Sequence, residues 1–271
     1  MKKKVHYRRK KKKSKIKSFL IKFILITILL TVSLVLFART SYFNISSVKV
    51  IGNTRYKEAE IIKTSNIKKG ANGFVTMGIS PIDIFTLSFG KSENAILNKY
   101  PYVKNVNVRF NIPKDVSIII TEREPSSIID YKGQGIIVDK ELYALDILKQ
   151  GDRFDVPKLY GIEFDTYKFG QVLKIKNTES ISILTTLTDS INKNDEGDNL
   201  KLYRLIKSID LKDINNISIT IKPDIKVNFG DLSDLEYRIT YFKQIYPVYI
   251  KSSSSGYMDF TTGENPVFQP G

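Results

Sequence analysis

Residues 19–38 (FLIKFILITILLTVSLVLFA) form an almost unbroken apolar block in which Lys22 is the single charge. At about 1.5 Å of rise per residue these twenty residues make a helix of roughly 30 Å, the thickness of a bilayer's hydrocarbon core. A lysine near the edge can snorkel to the headgroups, so the block reads as a transmembrane helix. Beyond it the pattern changes to short alternating runs. Residues 43–51 read as a strand with Val48 and Val50 on one face, and Thr54 is a candidate N-cap for a short helix with Ala59 and Ile62 on its apolar side. A loop then holds Gly70, Asn72, Gly73, Gly78 and Pro81. Ser92 is the next candidate cap, for a helix with Ala95, Ile96 and Leu97 that has to stop before Pro101. Val106, Val108 and Phe110 alternate, and after a turn at 111–114 so do Val116, Ile118 and Ile120, which makes a hairpin. This β-α-α-β-β order predicts a small α+β domain with both helices on one face of a three-stranded sheet.

The second half of the chain is richer in strands. Residues 127–131, 135–139, 143–148 and 156–161 are short strand candidates separated by Lys132-Gly133 and Gly151-Asp152 turns. Residues 178–191 carry Ile181, Leu184, Leu187 and Ile191 at helical spacing, followed by a polar loop at 192–199. Further strands are expected at 206–211, 217–222 and 226–229. A long helix is expected from Ser233, where Ser233 and Glu236 have capping-box spacing and Leu235, Ile239, Phe242 and Ile245 form a stripe; Pro247 lies near its end. A last strand at 256–261 precedes a proline-bearing tail.

Charge sharpens the topology. The chain of 271 residues has a formal net charge of +15, but residues 1–39 hold 13 of its 43 Lys and Arg and no acid. The remaining 232 residues carry 30 basic and 28 acidic groups, so the positive charge is a tail and not the face of a nucleic-acid-binding globule. The first 17 residues have 11 Lys or Arg and almost nothing apolar to bury, which predicts disorder. Twelve basic residues lie at or before Lys22 and only Arg39 beyond the block, so the positive-inside rule puts the N-terminus in the cytoplasm and the chain from about residue 40 outside. A cleaved signal peptide is the competing reading; Leu36-Phe37-Ala38 is a poor cleavage site for it. The tail also suits attraction to anionic lipid, although orientation alone accounts for it.

Chemistry is limited by what is missing. There is no Cys, and the only His is His6 in the basic tail, which excludes thiolate nucleophiles, Cys/His metal sites and Ser-His-Asp triads from the body. Glu122, Glu124, Asp139 and Glu141 are the carboxylates nearest to a glycosidase pair, yet nothing sets an acid opposite a base, and solvated or salt-bridged surface carboxylates are the simpler reading. Arg123 reads as a surface or inter-domain salt-bridge partner. Gly133-Gln134-Gly135 is a hairpin turn without the rest of a phosphate fingerprint. Tyr237, Tyr241, Tyr246 and Tyr249 suit either an interaction surface or half-burial against the sheet.

Several local motifs, in this order, resemble the FtsQ/DivIB family of bacterial cell-division proteins over essentially the whole chain. They are Val48-Lys49-Val50-Ile51-Gly52-Asn53, Tyr100-Pro101-Tyr102-Val103, Thr121-Glu122-Arg123-Glu124-Pro125, Pro157-Lys158-Leu159-Tyr160-Gly161, Val227-Asn228-Phe229-Gly230-Asp231 and Tyr257-Met258-Asp259-Phe260. The resemblance implies an α+β chain: a basic cytoplasmic tail (1–18), a single-pass membrane anchor (19–39), a POTRA-like β-α-α-β-β domain (40–124), a β-rich second domain with a long C-terminal helix (125–262), and a C-terminal tail (263–271). It implies a non-enzymatic divisome scaffold, without cofactor, metal or small-molecule substrate, that binds FtsB/DivIC-like and FtsL-like proteins outside the membrane at the septum. In this resemblance the partner adds a strand to an exposed edge made by Tyr257, Met258, Asp259, Phe260, Thr261 and Thr262, with Phe268 as an aromatic anchor; an edge strand's unpaired backbone groups supply the affinity. The chain has no Trp, unlike some relatives in that tail. Two other readings remain: an anchored peptidoglycan-processing enzyme using carboxylates, and a POTRA-type polypeptide-transport module.

Overall fold

The computed structural model describes residues 3–152, 154–262 and 266–271, with side chains from Lys17 onward. Parts of the two expected tails, Met1, Lys2 and residues 263–265, lie outside the described residues. Helix α1 (Lys3–Ala38) runs unbroken through the basic segment and the apolar block. The expected disorder of the basic segment is thus replaced by helix: Lys and Arg are good helix formers, and neither Gly nor Pro occurs in this span. Its part Lys17–Ala38, 22 residues or about 33 Å, is the one helix among the described residues long and apolar enough to cross a membrane.

The chain divides into two compact units, Met1–Leu97 with Asn105–Glu122, and Asn98–Lys104 with Arg123–Gly271. In the first, a 3-10 turn (Ser41–Phe43) leads to β1 (Ser47–Ile51), α2 (Glu58–Ser65), α3 (Gly73–Met77), α4 (Pro81–Thr86), α5 (Gly90–Lys99), β2 (Val103–Asn111) and β3 (Asp115–Glu122). The three strands lie in the order β1-β3-β2, with β1 parallel to β3 in the register Val48↔Val116 and Val50↔Ile118. Val108, Phe110, Val116, Ile118 and Ile120 are buried as their alternation predicts, and Ile61 of α2 and Ile96 of α5 join that core.

The hydroxyls do not cap as expected. Thr54 does not start a helix: its hydroxyl and amide, with the Arg55 amide, bind the Glu122 carboxylate at the end of β3, and α2 begins only at Glu58. Its inward residue is Ile61, while Ala59 faces solvent. Ser92 sits inside α5 and donates to Ser65 O (2.6 Å), tying α5 to α2. The expected glycine-rich loop contains two helices instead, because Asn72 Oδ1 caps the Val75 amide (3.1 Å), and Ser80 caps the Asp83 amide (3.5 Å) with Pro81 preset at the first helical position.

The second unit is built on a nine-stranded sheet. Its elements are β4 (Ser127–Tyr131), β5 (Gln134–Val138), β6 (Ala144–Ile147), β7 (Lys158–Tyr160), α6 (Thr178–Asp195), α7 (Leu202–Leu205), β8 (Ile206–Asp210), β9 (Ile217–Ile221), β10 (Ile225–Gly230), α8 (Leu235–Ile245), β11 (Gly256–Asp259) and β12 (Val267–Pro270). The strand order is β12-β11-β10-β9-β8-β7-β4-β5-β6. Helices α6 and α8 pack on this sheet through Ile183, Leu187, Ile191, Leu235, Ile239 and Phe242, all buried in one core with Ile209, Ile219 and Val227. Ile181 and Leu184 are only partly buried, so the inward stripe of α6 is rotated from the expected one. The capping box also fails. Asp234 precedes α8 in the left-handed region (φ 54), Ser233 N–H donates to Asp231, and Glu236 pairs with Lys193 of α6 (2.8 Å).

Candidate interaction site at the end of the sheet

The residues expected to form an exposed edge fall at the last strands. β11 lies parallel to β10 with Val227↔Met258 and Asn228↔Asp259 in register. Its other side is not open, contrary to expectation. Residues 267–270, expected in a tail, form β12 antiparallel to it, with Tyr257↔Gln269, Met258↔Phe268 and Asp259↔Val267 opposed. The strand ends at Asp259, so Phe260, Thr261 and Thr262 lie past it. Phe268 is the anchor in a different sense, because it is spent within the chain. Its ring lies across Gly256, where a Cβ would come within 2.6 Å of it, and it packs on the core beside Met258.

The register also decides which backbone groups face outward. Gly271 N–H donates to Ser255 O (3.2 Å), so Gly256 and Pro270 form a non-bonded pair, and Tyr257 and Asp259 face β12. Phe268 then holds the outward N–H of β12, while Pro266 and Pro270, on either side, have none to offer. A four-residue strand bounded by prolines is a blunted edge of the kind that resists further pairing.

Polar groups lock the turn that follows β11. Thr261 donates to Asp259 Oδ1 through both its amide (2.8 Å) and its hydroxyl (2.7 Å), and Tyr257 OH donates to Asp259 Oδ2 (3.1 Å). Burial pushes the Asp259 carboxyl up, but these hydrogen bonds outweigh it and leave it below the ordinary carboxylate value. Burial, with the Asp259 carboxylate adding to it, pushes the Tyr257 hydroxyl up. Asn228 was not among the residues expected at the site, yet its side chain reaches Tyr257 OH (3.3 Å) and accepts from Gly230 N–H (3.1 Å). Gly230 stands at φ +73 beside a register shift in β10, which is why glycine follows Phe229 there.

A carboxylate with a depressed pKa contributes stability above its unfolded value, about 3.9, and loses it as pH falls through the folded value. Asp259→Ala is therefore expected to cost about 1–2 kcal/mol at pH 7 by urea unfolding. The gap to the unmodified protein should begin to narrow as pH falls below about 4 and go on narrowing down to the lower folded-state value. A gap independent of pH would remove the charged role.

An aromatic row flanks this end. Phe260 stacks on Phe229 (5.7 Å between centroids) and meets Tyr241 edge-on (6.2 Å), and Tyr237 follows at 6.1 Å from Tyr241. The tyrosines of this segment thus divide: Tyr246 is buried, while Tyr237 and Tyr249 are exposed.

Of the carboxylates expected at the surface, Asp139 and Glu141 are salt-bridged as that reading allows, Glu124 is exposed, and Asp139 is buried instead. Arg123 is the salt-bridge partner expected, though buried and not at the surface: it binds Asp139 (2.5 Å) and Glu141 (3.0 Å) with its guanidinium 3.3 Å from the centroid of the Tyr143 ring. Burial opposes its charge, but the two carboxylates more than offset this and hold its pKa above the ordinary value. Lys104, and Arg123 after it, hold the Glu141 carboxyl below its ordinary value. Asp139 Oδ1 accepts the amides of Glu141 and Tyr143 (2.9 Å each), which closes the turn between β5 and β6.

Comparison with known proteins agrees with this architecture. Residues 43–123 match the model of the POTRA domain, FtsQ-type. The chain is 29% identical over 261 residues to the cell division protein DivIB of Clostridium botulinum (strain Hall), covering 96% of this chain and 93% of that protein. It is 28% identical over 229 residues to DivIB of Clostridium acetobutylicum, covering 84% and 83% respectively. It is 23% identical over 211 residues to the cell division protein FtsQ of Syntrophotalea carbinolica, covering 77% of this chain and 67% of that one. With an apolar N-terminal helix, a β-rich second unit and a long C-terminal helix around it, residues 43–123 form a POTRA domain of the FtsQ type, and the chain is similar over most of its length to the cell division proteins DivIB and FtsQ.

Proposed function

We propose that this protein is a non-enzymatic bitopic scaffold of the bacterial divisome. The apolar helix anchors it with the N-terminus in the cytoplasm, and residues 40–124 and 125–262 act as POTRA-like and partner-binding domains outside the membrane at the septum. Its partners are FtsB/DivIC-type and FtsL-type division proteins, and the docking residues are Tyr257, Met258, Asp259, Phe260, Thr261 and Thr262 beside the tyrosines of α8. The observation that carries this reading is β12. It occupies the edge of β11 with four residues, two flanking prolines and one aromatic anchor, which supports a reading in which this edge takes an added strand. A partner strand takes the same place by displacing β12, because the outer side of β12 offers little to pair with. The non-catalytic part of the reading is supported by the work its carboxylates already do: Glu122 holds the turn after β1, and Asp139 and Glu141 hold Arg123.

The test is capture of a DivIC-type partner by the full membrane-embedded protein. Truncation after Thr262 removes the competing strand and is expected to raise apparent affinity roughly threefold or more. Truncation after Gly256 is expected to abolish capture. Loss of capture on truncation after Thr262 would instead place the partner on β12, and absence of binding by the intact chain would sink the partner assignment.

A further inference from the structure

The first unit exposes a cluster of large apolar side chains that its own packing does not explain. Ile79 is 93% exposed and Phe85 is 89% exposed, and Val75, Ile82 and Ile84 are exposed around them. Helix α4 buries none of its residues. Residues 70–90 contain one ionisable side chain, Asp83, and it is turned inward to accept from Ser88 (3.3 Å). An uncharged apolar projection of this size on a soluble face is a liability unless something covers it.

The structure says where this projection is held. Asn72, which caps α3, donates its side-chain amide to Ala38 O (3.0 Å) and Thr40 O (2.9 Å), the carbonyls at the end of α1. Its backbone also pairs with Asn44. Aromatic rings continue the attachment: Phe37 in the last turn of α1 meets Phe43 (5.2 Å), Phe43 meets Phe74 of α3 (5.0 Å), and Phe74 meets Phe110 of β2 (5.4 Å). The start of α3 is therefore clamped at the level where α1 leaves the apolar span. Five helical residues of α3 advance only about 7.5 Å, so Ile79 and α4 remain near that level.

We infer that α3 and α4 form a monotopic contact with the lipid bilayer, in which Val75, Ile79, Ile82 and Phe85 sit in the headgroup and acyl boundary next to the spanning helix. A surface lacking charge and rich in Ile and Phe, tied to the end of a membrane helix, suits that boundary better than water. The contact restrains the first unit against the membrane as well as tethering it. This inference rests on the reading of residues 17–38 as a membrane span.

The absence of Cys makes the test direct, since each introduced cysteine is the only one. The full chain is placed in phosphatidylcholine/phosphatidylglycerol nanodiscs with an environment-sensitive fluorophore on Ile79→Cys, Phe85→Cys, Leu29→Cys or Lys57→Cys. Ile79, Phe85 and Lys57 are all exposed, so replacing them leaves the packing intact. Lipids carrying a nitroxide near the headgroup are expected to quench Ile79→Cys and Phe85→Cys at least about twofold more than Lys57→Cys, beyond the far end of β1. Quenching of Leu29→Cys by lipids carrying a nitroxide deep in the acyl chain, without headgroup quenching at 79 and 85, overturns the inference and leaves the anchor standing. A blue-shifted but unquenched label at 79 and 85 also overturns it, because a protein then covers the patch. A Leu29→Cys label that the acyl-chain nitroxide leaves unquenched overturns the membrane span and the inference with it.

Discussion

Arg123→Ala is expected to destabilise the second unit by about 3–5 kcal/mol, the cost of leaving one member of a buried ion pair alone. The side chains of Arg123 and Asp139 are only 7% and 5% exposed, so water cannot replace the lost guanidinium. Three things go at once: the bond to Asp139, the bond to Glu141 and the stacking over Tyr143. Asp139 would remain fastened to the Glu141 and Tyr143 amides, so its carboxylate cannot simply swing out to solvent. Arg123→Lys should recover only part of the loss, because an ammonium cannot span both carboxylates and lie flat on a ring. The double variant Arg123→Met/Asp139→Asn should be less destabilised than the sum of its single changes, since no charge is then stranded. Denaturant midpoints for these variants, for Arg123→Met and Asp139→Asn singly and for the unmodified protein decide the matter. A loss below about 1 kcal/mol for Arg123→Ala would mean that the site admits water and that the buried pair is not what holds this turn.

The second large effect is expected at Lys243, a buried lysine on α8. Its Nζ donates to Asn194 O (2.6 Å), Asp195 Oδ1 (2.7 Å) and Asp198 Oδ2 (3.1 Å), and its side chain is 4% exposed. It thus satisfies the Asn194 carbonyl in the last turn of α6 while Asp195, in turn, accepts the amides of Leu202 and Tyr203 at the start of α7. Lys243→Met keeps the bulk of the side chain and removes the charge, at an expected cost of about 3 kcal/mol. Amide exchange should quicken first at the end of α6 and in α7, ahead of the sheet. Adding Asp195→Asn should return part of the stability by removing the stranded charge. Uniform loss of protection over the whole unit would argue that Lys243 acts through global packing.

The same lysine explains why residues 192–199 read as a polar loop. In Asn192-Lys193-Asn194-Asp195 only Lys193 favours helix by local propensity. The extra turn of α6 exists because Lys243 arrives from a helix 48 residues later. The hydroxyl residues teach a related lesson. Thr54, Ser92 and Ser233 each have the spacing of a cap, and each is drawn elsewhere by a neighbour: Glu122, the Ser65 carbonyl and Asp231. Capping is a competition among hydrogen-bond partners, and only the folded chain reveals the rival. Asn72 and Ser80 cap helices where a glycine-rich loop was expected, because Gly70, Gly73 and Gly78 masked the signal of short helices between them.

The candidate site was half legible. Its strand, its Asp259 and its aromatic Phe268 follow from alternation and from family-like motifs. That the edge is already taken does not, because strand pairing joins residues whose partners are set by register, and a proline-bearing tail carries no local sign of pairing. Asn228 was visible in the Val227-Asn228-Phe229-Gly230-Asp231 motif, but its role needed the parallel register that sets it beside Asp259.

Periodicity and charge were enough, unaided, to set out an apolar span behind a basic segment, a three-stranded α+β unit and a β-rich second half. These depend on interactions close along the chain: 20-residue hydropathy, period-2 alternation, and Gly and Pro at turns. The folded chain alone settled what lies across space. It put β12 on the edge of β11, buried Arg123 between two carboxylates, and pinned Asn72 to the end of α1. The difference is physical. Local patterning reports which face of an element avoids water, whereas long-range pairing depends on which of many competing donors, acceptors and strands the tertiary packing brings within reach.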